Sequence, residues 1–137
     1  HSLARAIPAL LRMLQAAEDT DLRVSFEPHM DSVAQRPEHA LLLLGAVPGL
    51  SVTLDYAHFV CQGIVRREVA PLMEHVAHVQ IRQARRGALQ TAHDDGTMDI
   101  PQLLQDLHAM SYRGALTVTA PGAQTARRRA GILSARL

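Results

Sequence analysis

A chain of 137 residues is the length of a single domain and can bury about 68–70% of its unfolded surface, enough for a hydrophobic core. Its formal charge of +1 gives no electrostatic reason to expect nucleic acid or an anionic membrane as partner. No apolar run approaches the roughly 20 residues that span a bilayer, and Leu41 to Leu44 falls far short. The one cysteine, Cys61, excludes an internal disulfide, reads as a small half-buried hydrophobe, and points to a reduced, cytoplasmic location. The chain opens on His1-Ser2 without an initiator methionine, so the expectation is that it can be part of something longer.

The first element is a helix over Leu3 to Ala17, whose apolar residues Leu3, Ile7, Leu10, Leu11 and Leu14 repeat with helical period. Glu18 to Asp21 forms a polar turn, and Leu22 to Glu27 (LRVSFE) reads as a strand. Pro37 at the first position and Glu38 in the first turn announce a second helix. It runs through Leu41 to Leu44 and stops near Gly45 to Gly49. A second strand covers Leu50 to Asp55, a third helix about Val65 to Glu74, and a third strand Val76 to Ile81. The loop Arg82 to Gly96 is the longest in the chain, and loops of that length in compact domains often close over binding sites. Asp99, three residues before Gln102, caps a fourth helix with Leu103, Leu104 and Leu107 on one face. A fourth strand, Gly114 to Thr119, and an arginine-rich helix over about Ala123 to Leu137 complete the chain.

The strands are too far apart for hairpins, so parallel pairing through right-handed helical crossovers is expected. The fold class is α/β, with about four βα units making half of a (β/α)8 barrel. A flavodoxin-like sheet would need a phosphate-binding glycine loop after the first strand, and Glu27-Pro28-His29 supplies none. A parallel half-barrel leaves two open edges and an apolar concave face, so it should be closed by an amino-terminal half or by a second copy. Chemistry gathers at the carboxyl ends of parallel strands, which here carry Glu27, Asp55, Gln80 and Thr119.

Six segments together carry a family resemblance. Phe26-Glu27-Pro28-His29, Leu54-Asp55-Tyr56-Ala57-His58-Phe59 with Gly63, and His78-Val79-Gln80-Ile81-Arg82 come first. Gly87 with Gln90, Met98-Asp99-Ile100 and Tyr112-Arg113-Gly114 follow in order. Over about Ala9 to Ala120 the chain resembles the carboxy-terminal half of the sugar phosphate isomerase/epimerase family, the xylose-isomerase-like TIM barrels. The resemblance implies a divalent metal (manganese, magnesium, cobalt or zinc) held by Glu, the Asp of a D-x-x-H motif, the second His of H-x-H, and Glu. It places Glu27 and Asp55 at two ligand positions, with Glu27 also as the catalytic acid/base. His58 and Arg82 fall at substrate-binding positions. Gln80 and Thr119 stand at the other two ligand positions. A neutral carbonyl and a hydroxyl are poorer donors than imidazole and carboxylate, so metal binding should be weak or absent. Thr119 is also no acid/base group, so ordinary two-base epimerisation is not expected.

The remaining histidines read less strongly. His78 lies two residues before Gln80 on the same strand face and is expected to be a hydrogen-bonded core residue. His29 and His93 sit in loops over the site and are not expected to fold inward. His39, His75 and His108 fall on helices and read as surface. Arg127-Arg128-Arg129 lacks the interleaved aromatics of a nucleic-acid platform and reads as a solvated helix face. Two functions follow: a divergent sugar or sugar-phosphate isomerase/epimerase acting on a small-molecule substrate, or a non-catalytic barrel serving as a binding or subunit-interaction module.

Overall fold

The computed structural model describes residues 2–119. The arginine triplet 127–129 and the final helix expected at 123–137 lie outside them. Four parallel strands, β1 (Ser25–Phe26), β2 (Ser51–Asp55), β3 (Val76–Ile81) and β4 (Ala115–Val118), form one sheet in sequential order. Helices α1 (Leu3–Ala17), α2 (Pro37–Ala46), α3 (Ala57–Gln62), α4 (Arg66–Val69) and α5 (Ile100–Ala109) alternate with them. Sequential parallel order with helical crossovers is the arrangement of one half of a β/α barrel.

Each strand sorts its side chains by alternation. Val52, Leu54, Val79 and Ile81 are buried on one face, where they pack against Ala40 and Leu43 of α2 and Leu103 and Leu107 of α5. Leu3, Ala6, Ile7 and Leu10 of α1 pack at the margin of this core; of the expected stripe, Leu11 is instead exposed. The opposite face differs from expectation. It carries Ser25, Thr53, His78 and Thr117 and is polar, with Ser25 Oγ 2.7 Å from Thr53 Oγ1 and Thr117 Oγ1 3.2 Å from His78 Nε2. His78 is therefore hydrogen-bonded, but half-buried on the polar face and not in the core.

Two helices depart from their expected form for local reasons. The third is helical only to Val69, and Ala70–His75 continues as a 3-10 helix, because Pro71 has no N–H for the α-helical ladder. Helix α3 has no apolar period long enough to announce it. It is closed by Gly63 in the left-handed region (φ 72°), with Gly63 N–H donating to the Val60 carbonyl and Ile64 N–H to that of Phe59, a Schellman arrangement. The first strand is shorter than its apolar run, and Leu22 is 74% exposed.

The long segment after β3 is anchored at its root. The Gln83 side chain accepts from Met98 N–H (2.9 Å) and donates to the Met98 carbonyl (3.1 Å), and Thr97 N–H donates to the Ala84 carbonyl (2.8 Å). Gly96 permits this, since a Cβ there would lie 2.1 Å from Gln83 Cγ. Gly87 N–H also donates to the Cys61 carbonyl. No helix among the described residues is long and apolar enough to cross a membrane.

Strands β1 and β4 each have one unpaired edge among the described residues. Open parallel edges are templates for further pairing. In sedimentation at micromolar concentration the chain is expected to run as an assembly that closes both edges, and not as one 137-residue unit. A monomer that unfolds in a single cooperative step would show that four strands suffice.

Candidate functional site

The carboxyl ends of β1, β2 and β3 bring Glu27, Asp55, Gln80 and Arg82 to one place, with His58 from α3 beneath them. A shift in register between Val52 and Thr53 sets Asp55 opposite Gln80. Asp55 is 2% exposed, and its Oδ1 accepts from Ala57 N–H at 3.1 Å. That bond starts α3 and puts His58 in its first turn, with His58 Nε2 3.7 Å from Asp55 Oδ2. The other oxygen contact of Asp55 is an ion pair with Arg82 Nη2.

His58 is fully buried. Met30 N–H donates to its Nδ1 at 3.3 Å, and Arg82 Nη2, which can also only donate, lies 3.1 Å from Nε2. Nε2 is also 3.0 Å from Glu27 Oε1. Burial, the largest cause, pushes His58 below the ordinary histidine value of 6.5; Asp55 and Glu27 oppose this, while His29 and Arg82 reinforce it. The contacts to the two carboxylates are thus those of a neutral imidazole. Glu27 is completed by Gln80, whose amide Nε2 donates to Oε2 at 3.3 Å.

His29 stands where the sequence did not place it. His29 N–H donates to the Glu27 carbonyl at 2.7 Å across Pro28, a tight three-residue turn suited to the fixed φ of proline. The turn folds His29 back over the site, with its ring centroid 4.0 Å from that of His58. His29 Nδ1 lies against the Met30 carbonyl. Asp31 follows in the left-handed region (φ 67°), its N–H donating to Gln35 Oε1, which fixes the loop that presents Met30 to His58. The Glu-Pro-His order was the available signal. His93 stays exposed in its loop, His39 and His75 are half-buried, and His108 is exposed. Thr119 N–H donates to the Ile81 carbonyl, and no hydrogen bond joins its hydroxyl to the cluster among the described residues. Thr117, and not Thr119, is the strand partner of Gln80.

Glu27, His29 and His58 offer ligand atoms within 4.8 Å of one another, a group of the kind that can hold a metal ion. The lone pairs decide whether it fits. Both His58 nitrogens are engaged, Nδ1 by Met30 N–H and Nε2 by Arg82 Nη2. Glu27 accepts from Gln80, and Asp55 from Ala57 and Arg82. An ion on Asp55 would also face the guanidinium. Two unit charges ~4 Å apart repel by about 4 kcal/mol at an effective dielectric near 20, and a divalent ion doubles that. The arrangement does not fit the four-ligand site implied by the resemblance. It leaves Glu27 and His29 as the accessible donors.

A family model described as a xylose isomerase-like TIM barrel matches residues 1–136. No curated protein and no solved structure matches the chain.

Two measurements check this geometry. The unfolded chain protonates His58 near its ordinary value, whereas the fold holds it neutral to lower pH. The stabilisation is therefore complete above 6.5 and lost as pH falls through the lowered folded value. The melting temperature of the wild type should fall more steeply between about pH 7 and about pH 5 than that of His58→Asn; equal slopes would mean that His58 is not held neutral. In calorimetry, Gln80→His with Thr119→Glu should bind manganese no more tightly than wild type, because Arg82 still holds Asp55 and Thr117 is the strand partner of Gln80. A gain in the folded double variant would return Gln80 and Thr119 to the ligand positions.

Proposed function

Since the chain belongs to the xylose isomerase-like TIM barrel family, we propose that it is a divergent sugar or sugar-phosphate isomerase/epimerase-like protein. Its chemistry is proton transfer at a carbon next to a carbonyl. The observation that carries this reading is the Glu27 carboxylate. It sits at a strand end, 27% exposed, oriented by the buried His58 at 3.0 Å and by Gln80 at 3.3 Å. A base needs such access and orientation. Glu27 takes the proton from the hydroxyl-bearing carbon next to the carbonyl, the electron pair moving onto the carbonyl oxygen to give an enediolate, and returns it to the former carbonyl carbon as the substrate hydroxyl passes its own proton to the former carbonyl oxygen. Arg82 and His58 lie beside it for the substrate oxygens. Two-base epimerisation has no second carboxylate at Thr119, so the reading is a one-base transfer. Manganese, magnesium, cobalt or zinc is bound weakly or not at all in this proposal. The barrel is completed by an amino-terminal half or a second copy, in the cytoplasm, with no nucleic acid or membrane as partner.

A second reading, a non-catalytic barrel acting as a binding or subunit-interaction module, is favoured by one observation. Three of the four oxygens of the two carboxylates, Glu27 Oε2 and both of Asp55, already accept from neighbouring donors, as in a site built for structure. The test is exchange of carbon-bound hydrogen for deuterium in a panel of aldoses, ketoses and their phosphates, followed by NMR on the closed assembly. Wild type should catalyse exchange at the carbon next to the carbonyl, and Glu27→Gln should lose about 100-fold or more of the rate. No exchange with any member of the panel would favour the non-catalytic reading.

A further inference from the structure

We infer that Arg82 is the resident cation of the strand-end centre, its guanidinium holding Asp55 and closing the centre to a divalent ion. Three observations lead there. Arg82 Nη2 pairs with Asp55 Oδ2 and lies 3.1 Å from His58 Nε2, so one nitrogen occupies the space between the two residues of the D-x-x-H motif. The same nitrogen shares a hydrogen bond with His58 Nε2, but Asp55 is the anionic partner of the two and holds the guanidinium. Arg82 Nε is buried with no hydrogen-bond partner among the described residues, so that nitrogen contributes no competing tether. Finally, Glu27, Asp55 and Arg82 sum to one negative charge. A divalent ion added to that set would reverse its sign and share Asp55 with a like charge.

The consequence is chemical. A metal binds a ligand oxygen by coordination and takes its lone pair, whereas a guanidinium meets it with N–H donors in a plane. The centre would therefore take a carbonyl or anionic oxygen through hydrogen bonds, without a metal. This inference rests on the charges and contacts around Asp55 and needs no turnover, so failure of the isomerase reading leaves it standing.

Manganese alone is the probe, added to the closed assembly and followed by electron paramagnetic resonance of the free ion and by melting temperature. Wild type should leave the ion free and melt at the same temperature with and without it. Arg82→Gln should bind it at least about tenfold more tightly and melt higher in its presence, because an ion that binds only the fold stabilises it. Arg82→Lys keeps the charge and should behave as wild type. Should Arg82→Gln fail to fold alone, manganese should restore the fold. The inference is overturned if wild type takes up manganese and melts higher with it. It is also overturned if folded Arg82→Gln gains no affinity, if unfolded Arg82→Gln is not rescued, or if Arg82→Lys binds as well as Arg82→Gln.

Discussion

The buried carboxylate of Asp55 is the constraint on which the site depends. One of its oxygens begins α3 by accepting from Ala57 N–H, and the other holds Arg82. A charge that is 2% exposed is tolerable only with partners of this kind. Removing one member of a buried pair typically costs about 3–5 kcal/mol, because the other charge is left stranded. Backbone and site are thus coupled. The same aspartate that sets where His58 begins its turn also sets where the guanidinium lies, and Glu27 is oriented in turn by His58.

The sheet separates two kinds of work by alternation along each strand. Val52, Leu54, Val79 and Ile81 join the helices in the core, while Thr53, Asp55, His78 and Gln80 look the other way. Because the apolar residues belong to the helical side, the carboxyl ends can carry polar side chains without opening the core. Gln83 extends this order past the end of β3. By bonding both the N–H and the carbonyl of Met98, it fixes the chain one residue beyond Arg82.

Much of this was legible in the sequence because it rests on local rules. The period of α1, proline and glutamate opening α2, Asp99 capping Gln102 at 2.9 Å, and four β-rich runs all act within a few residues. The family resemblance was legible through six short segments in order, and it drew attention to Glu27, Asp55, His58, Gln80 and Arg82. What escaped depends on contacts between distant residues or on subtle local geometry. The inward fold of His29 comes from a turn across Pro28. The pairing of Arg82 with Asp55 joins residues 27 positions apart. Helix α3 escaped because six residues show too little period. The polar sheet face was written in the alternation of Ser25, Thr53, His78 and Thr117, but its sign was read as apolar. The expected lid is tied at its root by Gln83, whose long-range bonds no spacing reveals.

That polar face bears on how such a chain survives synthesis. A parallel sheet with a greasy open side would adhere to its neighbours while the chain is still folding. Hydroxyls such as those of Ser25, Thr53 and Thr117 rotate to donate or accept, and water can satisfy them as readily as a later strand can. An open sheet face of this kind can stay hydrated with no partner strand against it.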